Sequence, residues 1–442
     1  MMPSRERPRS RSERERKVED RTEVPVNREE MSCYAVICGI DVGKSEHFAV
    51  ALDQTCEPDR PLIRRAVSQD EDAIRLLLAE CGMRGRTLVV VDQYDAFGAL
   101  VVAIARDEGM DVAHISPARF QKVAETWGED KTDARDAMII ADAARSTPRN
   151  VDPVPERSEA VARVRVLSGE RDDAVAEMTR LYNRLHAIIT RSCPALEQVL
   201  SKDRLHNKCE LEMVAEYGGA KGLTAAGKAA VSRHLAKMPY QRTRGPKRAE
   251  EAFGAIGRQT VFAPGTEETG AQARRLARRI QEPRALVAEL DGRIEELSAL
   301  VPEVAVLTSV PGIGRVYAAT IACEIGDVSR FPDANHLASY AGVAPVRHES
   351  GTSVRKRKKR KGGNRRLKNA LIRSAKIASK IDPRAKAYYE RKLAQHTDGN
   401  GSPSPGAARK ALRALARRRV GVIFALLRDG SVYEPSHQNK AA

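Results

Sequence analysis

Tyr34-Ala35-Val36-Ile37-Cys38-Gly39-Ile40-Asp41, followed by His47-Phe48-Ala49-Val50-Ala51-Leu52, reads as two strands joined by a short glycine-containing turn. Leu62-Ile63-Arg64-Arg65-Ala66-Val67 is a third strand, and Asp70 to Cys81 an amphipathic helix. Leu88-Val89-Val90-Val91-Asp92 is a short apolar run of the kind shown by a parallel strand buried on both faces. A helix over about residues 98–108 leads to another strand at Met110–Ile115. Thr132 is placed to N-cap a further helix running to Ala144. Three strands in succession, then alternating helix and strand, predict an α/β domain over residues 31–150. Its sheet is expected to be mixed and five-stranded, with flanking helices.

Outward from that domain the pattern changes. Residues 1–30 alternate Arg and Glu with Pro and Ser, offer little to bury, and read as a disordered leader. Met31 stands directly before the first strand segment, which raises the expectation that translation begins there. After Pro148, Pro153 and Pro155 a helical region covers 155–302. Val175, Met178, Tyr182, Leu185 and Ile189 keep a heptad phase, as do Leu276, Ile280, Val287, Leu290, Ile294 and Leu297. Two such helices predict a coiled-coil hairpin or an intermolecular coiled coil, kinked at Pro283. Residues 195–265 between them carry no clear pattern. Residues 303–397 read as an all-helical C-terminal domain, and 398–442 as a Gly/Ser/Pro linker with a basic terminal helix.

Composition narrows the class. In 442 residues, Lys and Arg number 76 against 59 Asp and Glu, a formal charge of +17 that calls for a polyanionic partner. Hydrophobic residues make up 42%, enough for real cores. The longest clean apolar run, Val420 to Leu427, is far short of a membrane span. The seven cysteines are scattered without metal-ligand spacing and read as reduced thiols, which argues against zinc and places the chain in the cytoplasm, associated with the nucleoid. Aromatics at 4% do not suit base-stacking platforms.

Two constellations carry chemistry. Asp41 and Asp92 end the first strand and the apolar fourth strand, where parallel strands set their ends side by side. Lys131-Thr132-Asp133-Ala134-Arg135-Asp136-Ala137 adds Asp133 and Asp136, three residues apart on one helix face. Four converging carboxylates repel unless cations neutralise them. Hard oxygen ligands suit Mg²⁺, which stabilises attacking and leaving oxygens at phosphorus. The order strand one, strand four, late helix matches a ribonuclease-H-like arrangement.

The second constellation is Ser350-Gly351, followed by seven consecutive cations: Arg355, Lys356, Arg357, Lys358, Lys359, Arg360 and Lys361. Arg365 and Arg366 come next, opening a helix. Seven adjacent cations repel one another without a polyanion, and arginines clamp phosphate bidentately. A hydroxyl beside such a surface is a candidate for attack on a phosphodiester. Upstream, Val310-Pro311-Gly312-Ile313-Gly314-Arg315 is similar to a helix-hairpin-helix turn, in which Gly312, Gly314 and Arg315 would meet a phosphate without regard to sequence.

With both constellations quoted, the chain resembles the DEDD insertion-sequence transposases over about residues 34–380. That resemblance implies a RuvC-like N-terminal domain, a coiled-coil region and a serine-bearing C-terminal domain. It places the four metal-holding acids on Asp41, Asp92, Asp133 and Asp136, and the nucleophile on Ser350. The family's second acid is commonly Glu, so Asp95 and Glu46 stand as alternatives to Asp92. The implied function is a Mg²⁺-dependent transposase that cleaves and exchanges donor and target DNA strands, guided by an element-encoded RNA. The two halves of its active site would come from different subunits of a dimer or tetramer. Competing readings are a RuvC-like metal-dependent nuclease, in which Ser350 is a turn residue, and a non-enzymatic nucleic-acid-binding protein on a decayed scaffold.

Overall fold

The computed structural model describes residues 31–55, 60–128, 132–155, 158–200, 207–348, 356–358, 362–396 and 404–434; over 346–348 and 356–358 the description is of the backbone. The chain divides into two compact units, Met1–Glu156 and Arg157–Ala442.

The first unit is built on one mixed sheet. Its strands are β1 (Val36–Asp41), β2 (Glu46–Leu52), β3 (Ile63–Ser68), β4 (Thr87–Val91), β5 (Asp111–Ile115) and β6 (Val151–Pro153), in the order β3-β2-β1-β4-β5-β6. β1, β2 and β3 are antiparallel neighbours, whereas β1, β4 and β5 run parallel. The expected five strands are present with a sixth at the edge. β6 pairs antiparallel with β5 through three residues, and Pro153 is tolerated there because an edge strand need not donate on its open side.

The helices of this unit are α1 (Glu71–Gly82), α2 (Ala99–Asp107), α3 (Pro117–Ala124) and α4 (Asp133–Ser146). Asp70 caps α1, its side chain accepting from the Ala73 amide at 2.9 Å. Thr132 caps α4 as expected, accepting from the Arg135 amide at 3.2 Å. All five residues of β4 are buried, which is why that strand reads as an unbroken apolar run.

The second unit is helical apart from a two-stranded ribbon. α5 (Glu159–Ser192) and α11 (Thr266–Ser298) are the two heptad-patterned segments. They pack antiparallel: Val164 and Leu167 share a core with Leu290 and Ile294, while Leu185 and Ile189 share another with Leu276 and Ile280. Arg171 of α5 pairs with Asp291 of α11. α11 continues as one helix through the buried Pro283.

Between them, the segment without a sequence pattern forms α6 (Pro194–Leu200), α7 (Lys208–Tyr217), α8 (Ala220–Ala226), α9 (Lys228–Lys237) and α10 (Arg244–Ile256). These cover the distal half of the helix pair, with Leu211, Leu223, Leu235 and Ala252 in the shared core. The proximal half is covered by α12 (Pro302–Thr308), α13 (Arg315–Ile325), α14 (Ala334–Tyr340), α15 (Arg365–Ile381), α16 (Pro383–Ala394) and α17 (Ala407–Asp429). Strands β7 (Val346–His348) and β8 (Lys356–Lys358) form an antiparallel ribbon between α14 and α15.

Candidate catalytic acids and nucleic-acid interface

The acids are placed by strand register and helix packing. Parallel pairing sets Ile40 of β1 opposite Val91 of β4, so the next step sets Asp41 beside Asp92. The Val42 amide donates to the Asp92 carboxylate at 3.1 Å, which ties the two strand ends together. Burial pushes the Asp92 carboxyl up, and the Val42 hydrogen bond pulls it down.

α4 lies on β1 so closely that only glycine fits at position 39. A Cβ there would stand 2.5 Å from the Ala137 carbonyl oxygen and 2.5 Å from the Ala141 amide nitrogen. Ile37, two residues earlier, belongs to the buried cluster that holds Ile140, Ala143 and Ala144. The helix therefore runs antiparallel to β1. Moving two residues from Gly39 to Asp41 advances about 6.7 Å, and moving four residues back from Ala137 to Asp133 retreats about 6 Å. Asp133 is thus level with Asp41, on the face of the sheet to which both Gly39 and Asp41 point.

Asp133 is exposed, Asp41 and Asp92 are half-buried, and Asp136 is buried at 7% exposure. Arg135 braces this end of α4, donating to the Ala124 carbonyl at 3.1 Å and the Gly128 carbonyl at 2.5 Å. The four acids therefore share one end of the sheet. Among the described residues, no three of His, Cys, Asp and Glu close on a single point as a metal cluster. The donor set is nonetheless all carboxylate oxygen, which suits a hard divalent cation.

Glu46 is exposed at the start of β2, paired in register with Ser68, and Asp95 precedes a short 3-10 turn. Neither has the strand-end position beside Asp41 that Asp92 holds. A residue outside the predicted set also borders the site: His47 is buried, accepting from the Gly43 amide at 3.2 Å through Nδ1. Its Nε2 meets Gln69 Oε1, and Gln69 donates to the Phe97 carbonyl at 2.7 Å. Burial lowers the His47 imidazole, while the Gln69 hydrogen bond and the Asp92 charge act the other way.

In the second unit, Ser350, Arg355, Lys359, Arg360 and Lys361 lie outside the described residues, as does Lys131 in the first. Lys356, Arg357 and Lys358 form β8, opposite His348, Arg347 and Val346. The start of α15 is fastened by a carboxylate the sequence did not single out. Glu324 of α13, 5% exposed, accepts from Asn364 Nδ2 at 2.6 Å. Arg366 and Arg165 reach it at 3.8 and 4.0 Å. The Asn364 amide donates to the Tyr340 carbonyl at 2.7 Å, and Asn364 also caps α15.

Arg366 is accordingly paired though half-exposed, with Asp172 at 3.7 Å as a further partner, while Arg365 is exposed. At the upstream turn, Gly312 has φ +83° and a Cβ there would meet the α15 backbone at Ala378 N, 2.7 Å away. Its glycine is explained by close packing. Gly314 is open and precedes α13, and Arg315 is exposed and paired with Glu295 at 2.5 Å. No described helix is long and apolar enough to cross a membrane.

Comparison with known proteins adds the following. Residues 38–194 match a family model for DEDD-type proteins of IS110, described as Transposase. Residues 304–390 match one described as Transposase IS116/IS110/IS902 family. The insertion element IS110 uncharacterized 43.6 kDa protein of Streptomyces coelicolor is 35% identical over 90% of this chain and 95% of its own. The pilin gene-inverting protein of Moraxella bovis is 39% identical over 21% of this chain and 30% of its own. Among solved structures, T. thermophilus RuvC in complex with Holliday junction substrate aligns over 27% of this chain and all of its own, with TM-score 0.23 and 18% identity.

Proposed function

The chain belongs to the IS116/IS110/IS902 transposase family, enzymes of DNA cleavage and strand exchange, and on that footing we propose how its own residues do this work. Asp41, Asp92, Asp133 and Asp136 hold Mg²⁺ at the end of the RuvC-like sheet, where the ion lends positive charge to phosphate oxygens. Ser350 is the nucleophile. Its hydroxyl oxygen bonds to a DNA phosphorus, the bond to a deoxyribose oxygen breaks, and the serine proton ends on that leaving oxygen. The phosphodiester is conserved on the protein, so the hydroxyl of a new strand can reverse the step without an outside energy source.

Arg355–Lys361 with Arg365 supply phosphate contacts for donor and target DNA. An element-encoded RNA selects those DNAs by pairing, and its duplex parts suit a protein poor in aromatics, since A-form RNA is bound through phosphate and 2′-hydroxyl groups. The assembly is a homo-oligomer whose subunits share active-site halves. The Moraxella protein's name, which describes inversion of a gene, is in keeping with recombination by this family.

The observation that carries the reading is the level placement of Asp41 beside Asp92 and opposite Asp133. Asp41→Asn and Asp133→Asn are each expected to abolish DNA cleavage in Mg²⁺ while leaving melting temperature and duplex binding unchanged. Cleavage at the wild-type rate by either folded variant would contradict the assignment of the acids.

A further inference from the structure

A cavity of about 220 Å³ lies in the second unit, between the turn after α12, the start of α16 and the middle of α17. Pro311, Asp382, Arg384, Tyr388, Arg418 and Arg419 line it. Arg419 is 6% exposed and makes no ion pair among the described residues. Its Nη2 donates to the Pro311 carbonyl at 2.8 Å, and its buried Nε has no partner. Burial lowers this guanidinium to about 10, with the charges of Asp382 and Tyr433 opposing. It still carries its positive charge at neutral pH. A buried guanidinium with an unpartnered donor is costly even with the Asp382 charge nearby, and the fold keeps it beside an opening.

Two more guanidiniums stand at the mouth. Arg418 and Arg384 are exposed, and the Arg418 guanidinium sits 5.0 Å above the Tyr388 ring, which fixes its position. Among the described residues Asp382 is the acid lining the cavity, and its Oδ1 accepts from the Arg384 amide at 3.0 Å as the cap of α16. Arginine binds tetrahedral oxyanions by paired N–H donors, and three arginines line this one cavity.

We propose that this cavity is a phosphate-binding site, occupied in the working protein by a backbone phosphate of bound nucleic acid. The identity of the occupant rests on the DNA-acting function above, whereas the site itself does not. It joins the α12–α13 turn to the two terminal helices, so phosphate held there would anchor nucleic acid at a second place, apart from the basic ribbon.

The test uses the full chain and inorganic phosphate, with chloride at equal ionic strength as control. Phosphate is expected to raise the melting temperature of the wild type. The double variant Arg384→Gln/Arg418→Gln, which leaves the buried Arg419 in place, is expected to bind phosphate at least tenfold more weakly while melting like wild type in chloride. The same variant should lower the slope of log K against log[salt] for a short DNA duplex by about 1. No phosphate-dependent shift in the wild type, or an equal shift in the variant, would overturn the site without bearing on the acids or Ser350. A lost shift with an unchanged slope would keep the site and overturn the backbone phosphate as its occupant, in favour of a free phosphate.

Discussion

A Cβ on Gly39 would press against helix backbone at Ala137 and Ala141, atoms that cannot swing aside as a side-chain tip can. Gly39→Ala should therefore push α4 from β1, at a cost of about 1–3 kcal/mol, and move Asp133 off the level of Asp41. Comparing melting temperature and Mg²⁺-dependent cleavage checks this, and a fully active, equally stable variant would refute the packing argument. His47 makes a different prediction. Its imidazole is held below its ordinary value by burial, so the neutral form favours the fold. That contribution is complete above about pH 6.5, the unfolded value, and is lost as pH falls through the folded value. His47→Gln should flatten the acid limb of the stability curve below pH 6.5, and parallel limbs would count against it. Asp41 and Asp92 were legible in the sequence because a strand pattern ends on each. His47 was not, because its partners Gly43, Gln69 and Phe97 come from the loop and neighbouring elements around it.

Elements with strong periodicity were legible to within a residue or two. The helix expected from Asp70 to Cys81 is Glu71–Gly82 with Asp70 as its cap, and the two heptad segments are the two longest described helices. α6 to α10 escaped because Gly218, Gly219, Gly222, Gly227 and Gly245 fall within or between them and read as turns that interrupt any apolar period. Pro283 falls within an unbroken helix. Its missing amide removes one backbone bond, and its ring is buried where the heptad calls for a core residue. Glu324 was invisible for a different reason: a single acid in an apolar helix signals nothing until Asn364, Arg366 and Arg165 gather round it. As a clamp between α13 and the start of α15, it should tolerate change poorly. Glu324→Gln is expected to lose about 2 kcal/mol of stability, since it removes the buried charge that the Asn364 hydrogen bond and the two guanidiniums face. Thermal unfolding of the variant decides this, and a loss below a few tenths would show the clamp to be idle.

At the scale of the whole molecule, the excess of 17 positive charges and the α/β-then-helical order were readable from composition and pattern. The meeting of Asp41 with Asp92 followed from strand order, because parallel neighbours bring their C-terminal ends together. The phosphate cavity was not readable, since Pro311, Arg384 and Arg419 are far apart in sequence and meet only through the packing of α16 and α17. In the proposed function, serine chemistry and the carboxylates serve one strand-exchange reaction. The most direct measurement expresses the protein with its native flanking DNA, so that any element-encoded RNA is supplied, and lyses the cells in denaturant. Nuclease-sensitive DNA covalently attached to protein is then compared among wild type, Ser350→Ala and Asp133→Ala. An adduct is expected in the wild type, and both substitutions should abolish it. Free cut ends without an adduct, still made by Ser350→Ala but not by Asp133→Ala, would contradict the proposed function and leave a metal-dependent nuclease.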